Sequence, residues 1–168
     1  YRGTSRPRMM PRRLVRIGVD VGDARVGVAR SDADGLLATP VDTFPREEAA
    51  PKLQALIAEL GAERLYVGKP RLLSGECGTA VEKAHAFIAE LAELEPIESE
   101  PEYDVYLVDE RMSTVSAHRA LSDSGRRHRT HRPVIDQVAA VMILQTALDF
   151  ERARGAAAGE PWSYSDPQ

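Results

Sequence analysis

Apolar residues recur along the chain at two different periods, and the change of period divides it. Leu14 to Val21 and Arg25 to Ser31 are short apolar runs separated by a tight Gly22-Asp23 turn, and Leu36 to Thr43 follows Asp34-Gly35. Runs of this length bounded by Gly and Asp predict three strands, and their hairpin spacing predicts an antiparallel meander. From Glu47 the period becomes helical. Leu53, Leu56, Ile57 and Leu60 fall on one helix face, and Gly61 is placed to end the helix. Arg64 to Gly68 predicts a short buried strand. Thr79-Ala80-Val81-Glu82 has the form of a capping box, opening a helix with Ala86, Phe87, Ala89 and Leu91.

After a proline-flanked acidic loop at 95–102, Tyr103 to Asp109 predicts another strand, and Ser113 caps a helix reaching about Leu121. Residues 122–132 are polar, basic and glycine-containing, which predicts a mobile loop. Pro133 suits the first turn of a last helix from Val134 to about Arg152. Three strands followed by strands alternating with helices predict an α/β fold. Its sheet is expected to be mixed and five-stranded, three antiparallel strands then parallel ones, with helices on both faces. One domain is expected over 14–152, flanked by a flexible basic segment at 1–13 and a flexible tail at 153–168.

Composition narrows the class. Hydrophobic residues at 43% and charged residues at 29% fit a soluble globular domain. No apolar run approaches the ~20 residues of a membrane-spanning helix. The Arg-rich start has no apolar stretch or small-residue cleavage site, so no secretory signal is read there. The single cysteine, Cys77, cannot build an internal disulfide framework, and the cytoplasm is the expected compartment. Its one protein disulfide partner would be another copy of itself, so oxidation is expected, if anything, to trap a homodimer. The net charge of −4 argues against nucleic acid, but the distribution does not. Arg2, Arg6, Arg8, Arg12 and Arg13 precede Leu14 without an acid. Arg126, Arg127, His128, Arg129, His131 and Arg132 form a second cluster, while acids collect from Glu90 to Asp104. Binding follows the local field rather than the net count.

Three carboxylates sit against the pattern. Asp20 ends the apolar first strand, just before a glycine turn, and Glu110 follows the strand ending at Asp109. Asp136 shares a helix face with Ala139, Ala140, Ile143 and Ala147, small and apolar neighbours that mark the face packed on the sheet. Any one of them fits a turn residue or a helix-start acid. Three together at element ends need cations, and hard oxygen donors suit Mg²⁺ or Mn²⁺. Two such ions about 4 Å apart activate water and stabilise the leaving oxygen of a phosphodiester. The four histidines and one cysteine show no zinc spacing.

Four motifs in order carry a resemblance. Gly18-Val19-Asp20-Val21-Gly22 is followed by Arg25-Val26-Gly27-Val28-Ala29. Val67-Gly68-Lys69-Pro70 precedes Ser74-Gly75. Val108-Asp109-Glu110-Arg111-Met112-Ser113-Thr114 and Val134-Ile135-Asp136-Gln137-Val138-Ala139-Ala140 complete the set. From about Arg16 to Phe150 the chain resembles the YqgF (RuvX) proteins, ribonuclease H-like nucleases linked to Holliday junction resolution and pre-16S rRNA processing. The resemblance implies a ribonuclease H-like fold and a metal-dependent nuclease in which Asp20, Glu110 and Asp136 are catalytic and hold the metal. Lys69 stands where the family more often has an apolar residue and adds a candidate phosphate contact. Free backbone N–H groups around Gly75 to Thr79 are candidates to cradle the same anion. Arg111 either contacts the backbone of the nucleic acid or pairs with Asp109. Arg126, Arg127, Arg129 and Arg132 complete the candidate nucleic-acid surface.

Two other classes compete. Actin-like sugar kinases and chaperone ATPases open similarly but need two lobes around ATP, and this chain has room for one. A catalytically silent nucleic-acid-binding or interaction domain would have no reason to gather three carboxylates. Precursor rRNA and four-way DNA junctions both remain as substrates. Symmetric junction cutting demands a dimer, whereas RNA trimming does not.

Overall fold

The computed structural model of the chain describes residues 14–69, 79–109 and 132–163, including side chains except at 79–80 and 132–136. The chain begins with a meander of β1 (Arg16–Val21), β2 (Arg25–Ser31) and β3 (Ala38–Pro45). The β1–β2 turn closes through the Gly22 N–H donating to the Arg25 carbonyl at 2.9 Å. Before β3, the Asp32 carboxylate accepts from the N–H groups of Leu36 and Leu37 at 2.7 and 3.2 Å. Those bonds hold its pKa below the ordinary carboxylate value, Leu37 contributing most. Helix α1 (Arg46–Leu60) ends as its sequence predicts, with Gly61 in the left-handed region at φ 62°. Then come β4 (Arg64–Lys69), α2 (Thr79–Glu93), β5 (Asp104–Asp109), α3 (Arg132–Arg154) and β6 (Glu160–Pro161).

The strands form one sheet in the order β3-β2-β1-β4-β5-β6. β1, β2 and β3 are antiparallel neighbours, β1, β4 and β5 run parallel, and β6 is antiparallel to β5. The mixed sheet and its α/β character are as expected. Two alternating faces are covered. Ile17, Val19, Leu65, Val67 and Leu107 pack with Leu53 and Ile57 of α1 and Phe87 and Ile88 of α2. Tyr66, Tyr106 and Val108 pack with Ala140, Ile143, Leu144, Ala147 and Leu148 of α3. The small-residue stripe on the last helix is therefore the buried face, as its spacing implied. No described helix is long and apolar enough to cross a membrane.

Two expectations need correction. Among the described residues the sheet has six strands rather than five, and the segment after Arg152 is not loose through Ser163. Helix α3 continues to Arg154. Beyond it the Ala158 N–H donates to the Tyr66 hydroxyl at 3.2 Å, and Tyr106 and Leu107 pair with Pro161 and Glu160. Trp162 donates its backbone N–H to the Val105 carbonyl at 2.9 Å and its indole N–H to His85 Nδ1 at 3.0 Å. One buried aromatic with its polar tip satisfied anchors a strap that otherwise carries few apolar groups.

Candidate active site

The carboxyl ends of β1, β4 and β5 lie along one edge of the sheet. There the chain leaves β1 toward β2 on one side and β4 toward β5 on the other. A crevice at such a divergence is where α/β sheets place their ligands. Asp20 stands at this edge, one step beyond the Val19–Val67 rung, and is only 3% exposed. Side chains alternate along β1: Ile17 and Val19 face α1 and α2, whereas Arg16 and Gly18 face α3. The same alternation directs Asp20 to the α3 face.

Gly18 sets how closely α3 approaches. A Cβ there would lie 2.6 Å from Leu144 Cβ and 2.8 Å from the Ala140 carbonyl oxygen, so only glycine admits the helix at this depth. The helix runs antiparallel to β1, because Glu151 near its end pairs with Arg16 at the start of β1 at 2.8 Å. From the Gly18–Ala140 contact, Asp20 lies two strand residues onward, about 7 Å. Asp136 lies one helical turn back from Ala140 in the same direction, about 6 Å. The backbone of α3 therefore brings position 136 to the Asp20 end of the sheet. β5 ends at Asp109, one residue before Glu110, and lies two strands from β1, about 10 Å away.

The Asp136 side chain and all of Glu110 lie outside the described residues. So do Arg111, Arg126, Arg127, Arg129 and Cys77; Arg132 opens α3, with its side chain also outside. Among the described residues no group of three or more His, Cys, Asp or Glu side chains forms a metal cage. Lys69 ends β4 on the other face of the sheet, in phase with Leu65 and Val67. Its side chain is 14% exposed, and its ammonium lies 3.6 Å from the Glu160 carboxylate of the strap. Sequence reasoning missed this partner because Glu160 lies in a segment expected to be flexible.

It also missed a buried charged cluster at the opposite edge. The Glu151 carboxylate accepts from Arg16 Nη2 at 2.8 Å, from Arg64 Nη1 at 2.7 Å and from the Tyr66 hydroxyl. Burial, then the Glu151 charge, raise the Tyr66 pKa, against the lowering effect of Arg64. Burial alone would lower that of Arg64, but Tyr66 and Glu151 raise it on balance.

A mixed sheet in this order, flanked by helices and with an acid buried at the carboxyl end of its central strand, is a ribonuclease H-like architecture. The solved structure of Thermus thermophilus RuvC with a Holliday junction substrate superimposes with a TM-score of 0.56, covering 89% of this chain and 99% of that one. At 15% identity this likeness is one of fold. Residues 14–150 match the family model of RuvX, described as Holliday junction resolvase, and the chain belongs to that family. A relative from Clavibacter michiganensis is 49% identical over 158 residues, 90% of this chain and 94% of the relative. One from Streptomyces coelicolor is 48% identical over 158 residues, 92% and 90% of the two chains. Both carry the name "Putative pre-16S rRNA nuclease".

Proposed function

We propose that this chain is a metal-dependent endonuclease that hydrolyses phosphodiester bonds in structured nucleic acid, with Asp20, Glu110 and Asp136 as its catalytic, metal-holding carboxylates. The observation that carries the reading is the burial of Asp20 at the carboxyl end of the central strand, on the face along which α3 delivers position 136. A carboxylate fixed on a strand is a rigid, hard oxygen donor, and such donors fit Mg²⁺ or Mn²⁺. Glu110 stands two residues beyond Val108, itself on the α3 face. When bound, the metal supplies activation of the attacking water and stabilisation of the leaving oxygen. Arg111, Arg126, Arg127, Arg129 and Arg132 serve as phosphate contacts, which position the substrate without reading its sequence; Lys69, on the opposite face of the sheet and paired with Glu160, is left out of that set.

The names of the relatives favour precursor rRNA as substrate, and the family description favours four-way DNA junctions; a chain with a single cysteine suits a reducing cytoplasm for either. A titration of the protein on a labelled 16S precursor 5′ leader and on labelled junctions, with light scattering on the same samples, separates them. Cleavage of the leader by a monomer assigns RNA processing. Paired junction cuts by a dimer, with or without a Cys77 disulfide, assign resolution. Asp20→Asn, Glu110→Gln and Asp136→Asn should each abolish cleavage in a folded protein, and chelation should do the same until Mg²⁺ or Mn²⁺ is restored. Near-wild-type turnover in any one variant removes that residue from the site, and full activity in chelator removes the metal.

A further inference from the structure

The cluster around Glu151 has a cost that packing alone does not explain. The Arg16 guanidinium and the Glu151 carboxylate are buried there, the Arg64 side chain is 13% exposed, and the buried Nε atoms of Arg16 and Arg64 find no hydrogen-bond partner. Apolar side chains of similar volume commonly stabilise such a place as well or better. Directional bonds do what apolar packing does not, which is to fix position along an axis. The face that α3 lays on the sheet is built largely of Ala139, Ala140, Ala147, Ile143, Leu144 and Leu148. The contacts of such a stripe are non-directional.

Glu151 joins α3 to three other segments. Arg16 comes from β1, Arg64 and Tyr66 from β4, and the Tyr66 hydroxyl accepts the Ala158 N–H of the strap. The arginine is itself held, with Arg16 Nη1 donating to the Leu14 carbonyl at 2.6 Å and its backbone N–H to Ser31 Oγ at 2.9 Å. Another polar tether on α3, Gln145, bonds Ala38 and Leu36 at the exposed edge beside β3. From Glu151 to Asp136 is fifteen residues, about 22 Å of helix, and a helix transmits an axial setting along its length.

We propose that Glu151, gripped by Arg16, Arg64 and Tyr66, is a positioning residue that sets the axial register of α3 on β1 and β4 and so brings position 136 to the Asp20 end of the sheet, at the opposite edge. The inference rests on the metal-site reading above. The network acts on the site through the helix, not through contact with substrate.

The test reads register and metal separately. In a Cys77→Ser background, spin labels at Ala24→Cys and Asp149→Cys report the distance between the β1–β2 turn and α3. The chain with Glu151 intact should give one narrow distance. Glu151→Gln, and the apolar triple Arg16→Leu/Arg64→Leu/Glu151→Leu that keeps the proposal testable should the single variant not fold, should shift or broaden it. Mn²⁺ affinity, measured by titration in the same proteins without labels, should fall about tenfold or more, the usual loss when a ligand's support is removed. Cleavage by these variants should recover at high Mn²⁺. Leu53→Ala, a core truncation in α1, should lower the melting temperature and leave Mn²⁺ affinity unchanged. Unaltered distance and affinity in a folded triple variant would overturn the proposal. An absence of Mn²⁺ binding in the unaltered protein would overturn the metal-site reading instead, and the label distances would still decide the register.

Discussion

Gly18→Ala is a one-methyl perturbation whose effect can be worked from the structure. The new Cβ would meet Leu144 Cβ at 2.6 Å and the Ala140 carbonyl oxygen at 2.8 Å. Carbon contacts relax to about 3.5–4.0 Å, so α3 has to retreat by about 1 Å. Both obstacles are fixed to the helix backbone and neither can rotate away. Overpacking of this kind costs about 1–3 kcal/mol, which for a chain of this length lowers the melting temperature by roughly 3–10 °C. The retreat also carries position 136 away from Asp20, and a misplacement of about 1 Å costs on the order of 100-fold in rate. Gly61→Ala is the matched control: at φ 62° it incurs left-handed strain of about 1–2 kcal/mol, yet nothing lies within 4 Å of its Cβ. Thermal unfolding and single-turnover cleavage at saturating Mg²⁺ should show comparable destabilisation of both variants but a rate defect only in Gly18→Ala. Wild-type melting of Gly18→Ala would refute the close packing of α3, and equal rates in two equally destabilised variants would refute its positioning role.

Other outcomes follow from the strap, the buried cluster and the basic loop. Trp162 is the chain's one tryptophan, so its emission reports strap docking; His85→Ala should red-shift it and lower the denaturation midpoint, and an unmoved spectrum would mean the strap holds without that bond. The Tyr66 pKa is raised from its ordinary 10.0, so its contribution to stability is complete below about pH 10 and is lost as pH rises toward the folded-state value. Unfolding free energy should therefore fall more steeply above pH 10 in the wild type than in Tyr66→Phe, and parallel curves would contradict the assignment. Replacing Arg126, Arg127, Arg129 and Arg132 together should flatten the salt dependence of nucleic-acid binding by up to about 4 units of slope, and an unchanged slope would place the phosphate contacts elsewhere.

What the sequence discloses is what local pattern controls. The apolar run from Arg16 to Val21 reads as a covered strand, and Asp20 stands out because a charge does not belong in such a run. Ala139, Ala140, Ile143 and Ala147 announce the buried face of α3 through their spacing alone. Arg16, Arg64 and Glu151 are silent in the sequence, since long charged side chains are ordinarily exposed and their burial depends on partners up to 135 positions apart. That Lys69 lies on the face away from Asp20 follows from the β1–β4 register, which no single strand encodes. The strap was hidden because its one strong signal, Trp162, stands alone among polar and small residues.

The strap also bears on how the sheet edge is protected. A sheet edge offers unpaired N–H and C=O groups to any other chain, and this sheet has two edges, protected differently. At β3, Pro40 and Pro45 have no N–H to offer, and a bulge opposite Val28 and Ala29 bends the strand out of a regular pairing line. β5 has no proline and no bulge along its length, and among the described residues only the two paired residues of β6 and the Trp162 bond lie over it. A chain shortened before Gly159 would present Val105, Tyr106 and Leu107 as a bare, apolar template for a second copy. Loss of the strap thus converts a covered sheet edge into one prone to self-pairing and precipitation.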